Sequence, residues 1–116
     1  MQDEIAYKLL KLIEAEPHLS QRDIAKKMGV SLGKTNYCLK ALVDKGFIKL
    51  QNFYNNKKKS AYIYFLTPQG IEEKADVTYR FLQRKLNEYE NIKQEIESLE
   101  LEAAGLKVFE VQNDEK

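Results

Sequence analysis

Residues 19–48 read LSQRDIAKKMGVSLGKTNYCLKALVDKGFI, and the order of caps and glycines in this stretch decides the fold. Ser20 is a good helix N-cap, with Asp23 three residues on in a weaker form of the capping box. Ile24, Ala25 and Met28 form the apolar side of a short helix, which Gly29 is placed to end in the left-handed conformation. Only Val30 intervenes before Ser31 starts the next helix, and Gly46 closes that one in the same way. Thr35, Cys38, Leu39, Leu42 and Val43 share one face of it; Ser31, Gly33, Lys34, Asn36, Tyr37 and Lys40 lie on or near the other. Two short helices joined by a tight glycine turn make a helix-turn-helix whose second member presents a polar face.

Upstream, Ile5, Leu9, Leu12 and Ile13 make one face of a helix over residues 3–16, with Asp3 as its cap and Pro17 as its stop. Downstream, the period changes to 2. Residues 47–53 (FIKLQNF) and 60–66 (SAYIYFL) flank a polar, basic segment, predicting a β-hairpin tipped by Asn55, Asn56, Lys57, Lys58 and Lys59. Both alternations of the second strand are apolar, so its buried face stays open. Thr67 and Pro68 then restart a helix as N-cap and first helical residue. Helical spacing persists to about Ala104, some 37 residues or roughly 55 Å. Its stripe steps through Tyr79, Leu82, Leu86 and Tyr89, then Ile92, Ile96 and Leu99, with an extra three-residue step between Tyr89 and Ile92. One helix of that length needs a partner for its stripe, most simply its own copy. The fold class expected is mainly α with a small β-hairpin. A winged helix-turn-helix domain over 1–67 carries a long coiled-coil dimerisation helix over 68–106, and residues 107–116 fray.

The 116 residues sum to a net charge of +1, but that sum is misleading. Residues 20–66 hold ten Lys and Arg against two acids, a net +8, while residues 87–116 hold three Lys against nine acids, a net −6. The basic block suits a polyanion, and the acidic end should stay away from it. Hydrophobic residues at 43% exclude a chain too polar to form a core, and no apolar run reaches the length of a transmembrane helix. The N-terminus does not read as a signal peptide, and a single cysteine forms no intrachain disulfide, so a reducing cytoplasm is expected. The chain carries none of the GxxxxGK[ST], GxSxG, HExxH or GxGxxG motifs, so no enzyme, cofactor or metal site is expected. Cys38 reads as a small core hydrophobe rather than a redox sensor, and His18 as solvated. Tyr7, Tyr79 and Tyr89 could line a pocket for an aromatic effector, although helix packing is the commoner use.

The quoted segment resembles the helix-turn-helix of bacterial winged-helix regulators. The hairpin and the LTPQG junction at 66–70 resemble the wing and wing-to-helix junction of the MarR family. The run NYCLKAL…KGFIK…QNF, with YKLLKL near the start, resembles the exopolysaccharide-associated members of that family, over roughly residues 4–102. This implies a DNA-binding transcription regulator that acts as a homodimer on an inverted repeat, with exopolysaccharide genes as targets. Two departures stand out. Lys57-Lys58-Lys59-Ser60 replaces the usual Asp-Arg-Arg type motif of the wing. A single C-terminal helix also replaces the terminal helices that frame a ligand crevice, so the resemblance carries no small-molecule effector over.

The residues support duplex DNA as partner on their own chemistry. The N-terminus of the second motif helix, with Ser31 and Gly33, offers N–H groups and close backbone approach to phosphate. Asn36 suits adenine, Lys34 and Lys40 suit guanine edges or phosphates, Leu32 suits a thymine methyl, and Tyr37 shares that face. The wing lysines suit phosphate or the minor groove. Gln21 and Arg22 lie where the first motif helix would cross the backbone. A winged-helix protein-interaction module and an RNA-binding protein remain as alternatives.

Overall fold

The computed structural model describes residues 1–55 and 58–114, with side chains described for 1–51 and 63–106. Six elements follow in order: α1 (Asp3–Ala15), α2 (Gln21–Met28), α3 (Leu32–Asp44), β1 (Ile48–Asn55), β2 (Lys58–Leu66) and α4 (Pro68–Asp114). They fall into two units, Met1–Phe81 and Leu82–Lys116.

Within the first unit, local chemistry sets each helix boundary. Ser20 Oγ accepts from the Asp23 N–H at 3.1 Å while the Asp23 carboxylate accepts from the Ser20 N–H at 3.3 Å, so the capping box is complete. Ser31 Oγ accepts from the Lys34 N–H at 3.1 Å. Gly29 and Gly46 take φ of 69° and 78°, the left-handed region that ends a helix without steric cost only for glycine. At α1, by contrast, the cap is Gln2, which makes no side-chain capping bond. Asp3 is not the cap expected of it: its carboxylate accepts from Arg80 Nε at 3.1 Å, a pairing 77 residues away.

Leu9, Leu10 and Ile13 of α1, Ile24 of α2, Cys38, Leu39 and Leu42 of α3, Ile48 of β1 and Tyr64 of β2 form one core. Each fully buried aliphatic side chain there contributes about 1.5–3 kcal/mol of transfer free energy. Val43, expected on the same face, is 38% exposed. It stands about 100° around the helix from Leu42, at the rim of a shallow groove shared with Ile48, Leu50 and Thr67.

β1 and β2 pair antiparallel in one two-stranded sheet, Ile48 opposite Leu66 and Leu50 opposite Tyr64, with an irregularity between Phe53 and Asn55. The open choice of face is settled by Tyr64, which is buried, while its neighbour Phe65 is exposed. The strands also run further than expected. Asn55, Lys58 and Lys59 are strand residues rather than turn residues.

The first turns of α4 belong to this unit as well, which runs to Phe81. Val77 is buried, Lys74 pairs with Glu14 at 2.7 Å, and the Phe81 ring stacks on Tyr7 at 5.2 Å between centroids. Arg80 bridges Asp3 and Glu73; hydrogen bonds to those two carboxylates raise its pKa above the ordinary arginine value. Thr67 caps α4, its hydroxyl accepting from the Gly70 N–H at 3.0 Å and donating to the Gly46 carbonyl. In the second unit α4 continues to Asp114, past the Leu106 boundary expected from the stripe.

Candidate nucleic-acid interface

The faces of α3 separate cleanly. Thr35, Cys38, Leu39 and Leu42 are buried, and the Thr35 hydroxyl donates to the Ser31 carbonyl at 3.0 Å, so this threonine is satisfied within its own helix. Ser31, Leu32, Gly33, Lys34, Asn36, Tyr37 and Lys40 are all exposed. Tyr37 at 73% and Leu32 at 39% are large apolar surfaces on a helix that already has a complete buried side. Spacing placed six of them, Ser31, Gly33, Lys34, Asn36, Tyr37 and Lys40, on or near the outer face, and Leu32 joins them.

Gly33 has no internal reason to be glycine. Its backbone φ lies outside the left-handed region, and a Cβ built there meets nothing within 4 Å. The chain therefore gives up helix propensity at an open position in the first turn.

Gln21 and Arg22 open α2, but they differ in freedom. The Gln21 amide donates to the Tyr64 hydroxyl at 3.0 Å, tying the start of α2 to β2. Its role in the fold is to hold the wing strand against the motif. Arg22 is exposed. Of the wing residues singled out, Asn56 and Lys57 lie outside the described residues, and so do the side chains of Asn55, Lys58 and Lys59. Lys45 and Lys49 are exposed cations flanking the end of α3 and the start of β1 that motif reading did not single out. Only their place in the basic block pointed to them. Lys27, by contrast, is tied to Glu16 at 3.0 Å.

Cys38 is a buried free thiol at 4% exposure, the core role expected for it. His18 is exposed. Tyr7 is engaged with Phe81 and lies 5.6 Å beneath the Lys11 ammonium, a packing role. Among the described residues, no group of three His, Cys, Asp or Glu could hold a metal ion, and no helix is long and apolar enough to cross a membrane.

Two buried-face helices with a Ser-capped, outward-facing second member, followed by a paired hairpin, leave one architecture. The fold is a winged helix-turn-helix. Residues 2–49 match the family model described as winged helix-turn-helix DNA-binding. The chain is similar to the PcaV transcriptional regulator of Streptomyces coelicolor, at 19% identity and a TM-score of 0.56, over 67% of this chain and 54% of that one. It is also similar to Bacillus subtilis PadR in complex with operator DNA, at 26% identity and a TM-score of 0.53, over 63% and 45% of the two chains. S. aureus MepR, solved as a DNA complex, aligns at 22% identity and a TM-score of 0.57, over 75% and 61%. The matched part spans about half the length of these regulators. No curated protein matches the chain by sequence.

Proposed function

We propose that this winged helix-turn-helix chain is a sequence-specific, double-stranded-DNA-binding transcription regulator of the MarR and PadR type. In this reading α3 is the recognition helix. It acts as a homodimer on an inverted repeat, with half-sites one helical turn of about 34 Å, or a multiple of it, apart. Exopolysaccharide genes are the targets that its resemblance to the associated MarR members implies. The observation that carries the reading is the outer face of α3, exposed from Ser31 to Lys40 over a core that needs none of it. The net +8 of residues 20–66 supports it, because counterion release from phosphates drives such binding.

The test is fluorescence anisotropy on duplex DNA from upstream of the chain's own gene, beside a scrambled duplex and an RNA duplex, across a salt series. A steep salt slope with about a hundredfold preference for the native duplex is expected. Flat, weak binding to every duplex would sink the reading.

Three variants divide the interface. Gly33→Ala should stabilise the free protein by up to about 1 kcal/mol, since the helix gains propensity in open space. The same change should weaken DNA binding, because the added methyl stands where a phosphate would approach. Equal affinity for the two proteins would remove Gly33 from the interface. Asn36→Ala should lose about 1–3 kcal/mol of discrimination at one base pair while nonspecific affinity holds. Charge reversal at Lys57, Lys58 and Lys59 together should weaken binding on every sequence. It should also lower the magnitude of the salt slope by about 0.9 for each phosphate that is no longer neutralised.

A further inference from the structure

The second unit presents an apolar stripe that the chain itself leaves exposed: Leu82, Leu86, Tyr89, Ile92, Ile96 and Leu99 are each between 48% and 61% accessible. We propose that residues 82–103 pair with the same segment of a second copy in antiparallel register, the two-fold axis passing between Ile92 and Lys93. The inference rests on the homodimer reading above and adds its geometry.

The spacing of the stripe admits this register. Antiparallel helices stack an a-type position of one chain on a d-type position of the other. With the axis at that point, Leu82 falls opposite the partner's Ala103, Leu86 opposite the partner's Leu99, and Tyr89 opposite the partner's Ile96. These three layers each join two apolar residues, and at the axis Ile92 lies next to the partner's Ile92, one residue off level. The irregular three-residue step from Tyr89 to Ile92 lies beside the axis, opposite the partner's residues 93–96, so the two copies of the step sit next to each other at the centre of the pair.

Charge chooses between the two directions. Glu95, Glu97, Glu100 and Glu102 occupy 94–106 without a cation, whereas 83–91 holds Arg84 and Lys85 against Glu88 and Glu90. A parallel pair would set the four carboxylates beside their own copies, with Glu95 facing the partner's Glu100. The antiparallel register sets the acidic half against the neutral half. It brings Lys85 opposite the partner's Glu102 and Glu90 opposite the partner's Lys93, and leaves no like-charge pair at those flanking positions.

Disulfide trapping of the full chain tests the geometry. Ile92→Cys, Leu86→Cys and the double variant Leu86→Cys/Leu99→Cys are equilibrated in a glutathione redox buffer and resolved on non-reducing gels, with sedimentation of the reduced proteins alongside. Along one helix positions 86 and 99 are about 20 Å apart, as are position 86 and the partner's 86 in the antiparallel register. A disulfide needs Cα atoms within about 7 Å. The expected result is crosslinked dimer for Ile92→Cys and the double variant, and at least fivefold less for Leu86→Cys alone. Equal crosslinking of Leu86→Cys alone would overturn the antiparallel register while leaving the homodimer intact. A sedimenting dimer that none of the three variants traps would overturn the stripe as interface. Monomers throughout would overturn the homodimer reading itself.

Discussion

Gly70→Ala is expected to destabilise the first unit by about 3 kcal/mol, although it places the best helix former in the first turn of a helix. A Cβ at this position would stand 1.8 Å from the Phe47 carbonyl oxygen and 2.8 Å from its carbon. Both are backbone atoms, so no side-chain rotation relieves the clash. The Phe47 carbonyl is itself held, accepting from the Thr67 N–H at 3.0 Å, while the Phe47 N–H donates to the Leu42 carbonyl at 2.9 Å. Moving α4 away would also cost Thr67 one of its two bonds, to the Gly46 carbonyl if it follows the helix or to the Gly70 N–H if it stays. Denaturant unfolding should show a lower midpoint at an unchanged slope. Gly105→Ala is the control, because its Cβ meets nothing within 4 Å; it should be neutral or slightly stabilising. Equal stabilities for the two variants would mean that the junction of Phe47, Thr67 and Gly70 yields freely.

Leu86→Asp combined with Ile96→Asp should convert the protein to monomers and lower its affinity for an inverted-repeat duplex by about a thousandfold. The two side chains are about half exposed in the single chain, so the substitutions break no internal packing. In a dimer each would bury a carboxylate in an apolar seam, which is costly because no cation shares those positions. The affinity loss follows from converting the second half-site interaction back into a bimolecular event, a factor of about 10²–10⁴. Sedimentation reads the first effect and anisotropy the second. The unfolding midpoint of the first unit should hold, since its core from Leu9 to Tyr64 contains neither residue. A dimer that survives both substitutions would place the interface elsewhere.

The exposed face of α3 was legible because it depends on signals a few residues apart. Ser20 with Asp23, Ser31 with the Lys34 N–H, and the two left-handed glycines each act within four residues, so local chemistry determines them. The 3.6-residue period likewise sorted Thr35, Cys38, Leu39 and Leu42 from Lys34, Asn36, Tyr37 and Lys40. It erred at Val43, because periodicity marks the centre of a buried face well and its rim poorly.

By itself, then, the sequence determined the order and caps of the motif helices, the hairpin after them, the restart at Thr67 and Pro68, and the polarity of the α3 surface. Tertiary structure alone decided the long-range pairings. Asp3 serves Arg80 instead of capping α1, and Gln21 ties the start of α2 to Tyr64. Tyr64 rather than Phe65 turns inward, and α4 gives its first turns to the first unit. Gly70 is required by a carbonyl 23 residues earlier. Caps and periods are set by neighbours along the chain, whereas these choices depend on which surfaces meet once the helices have packed.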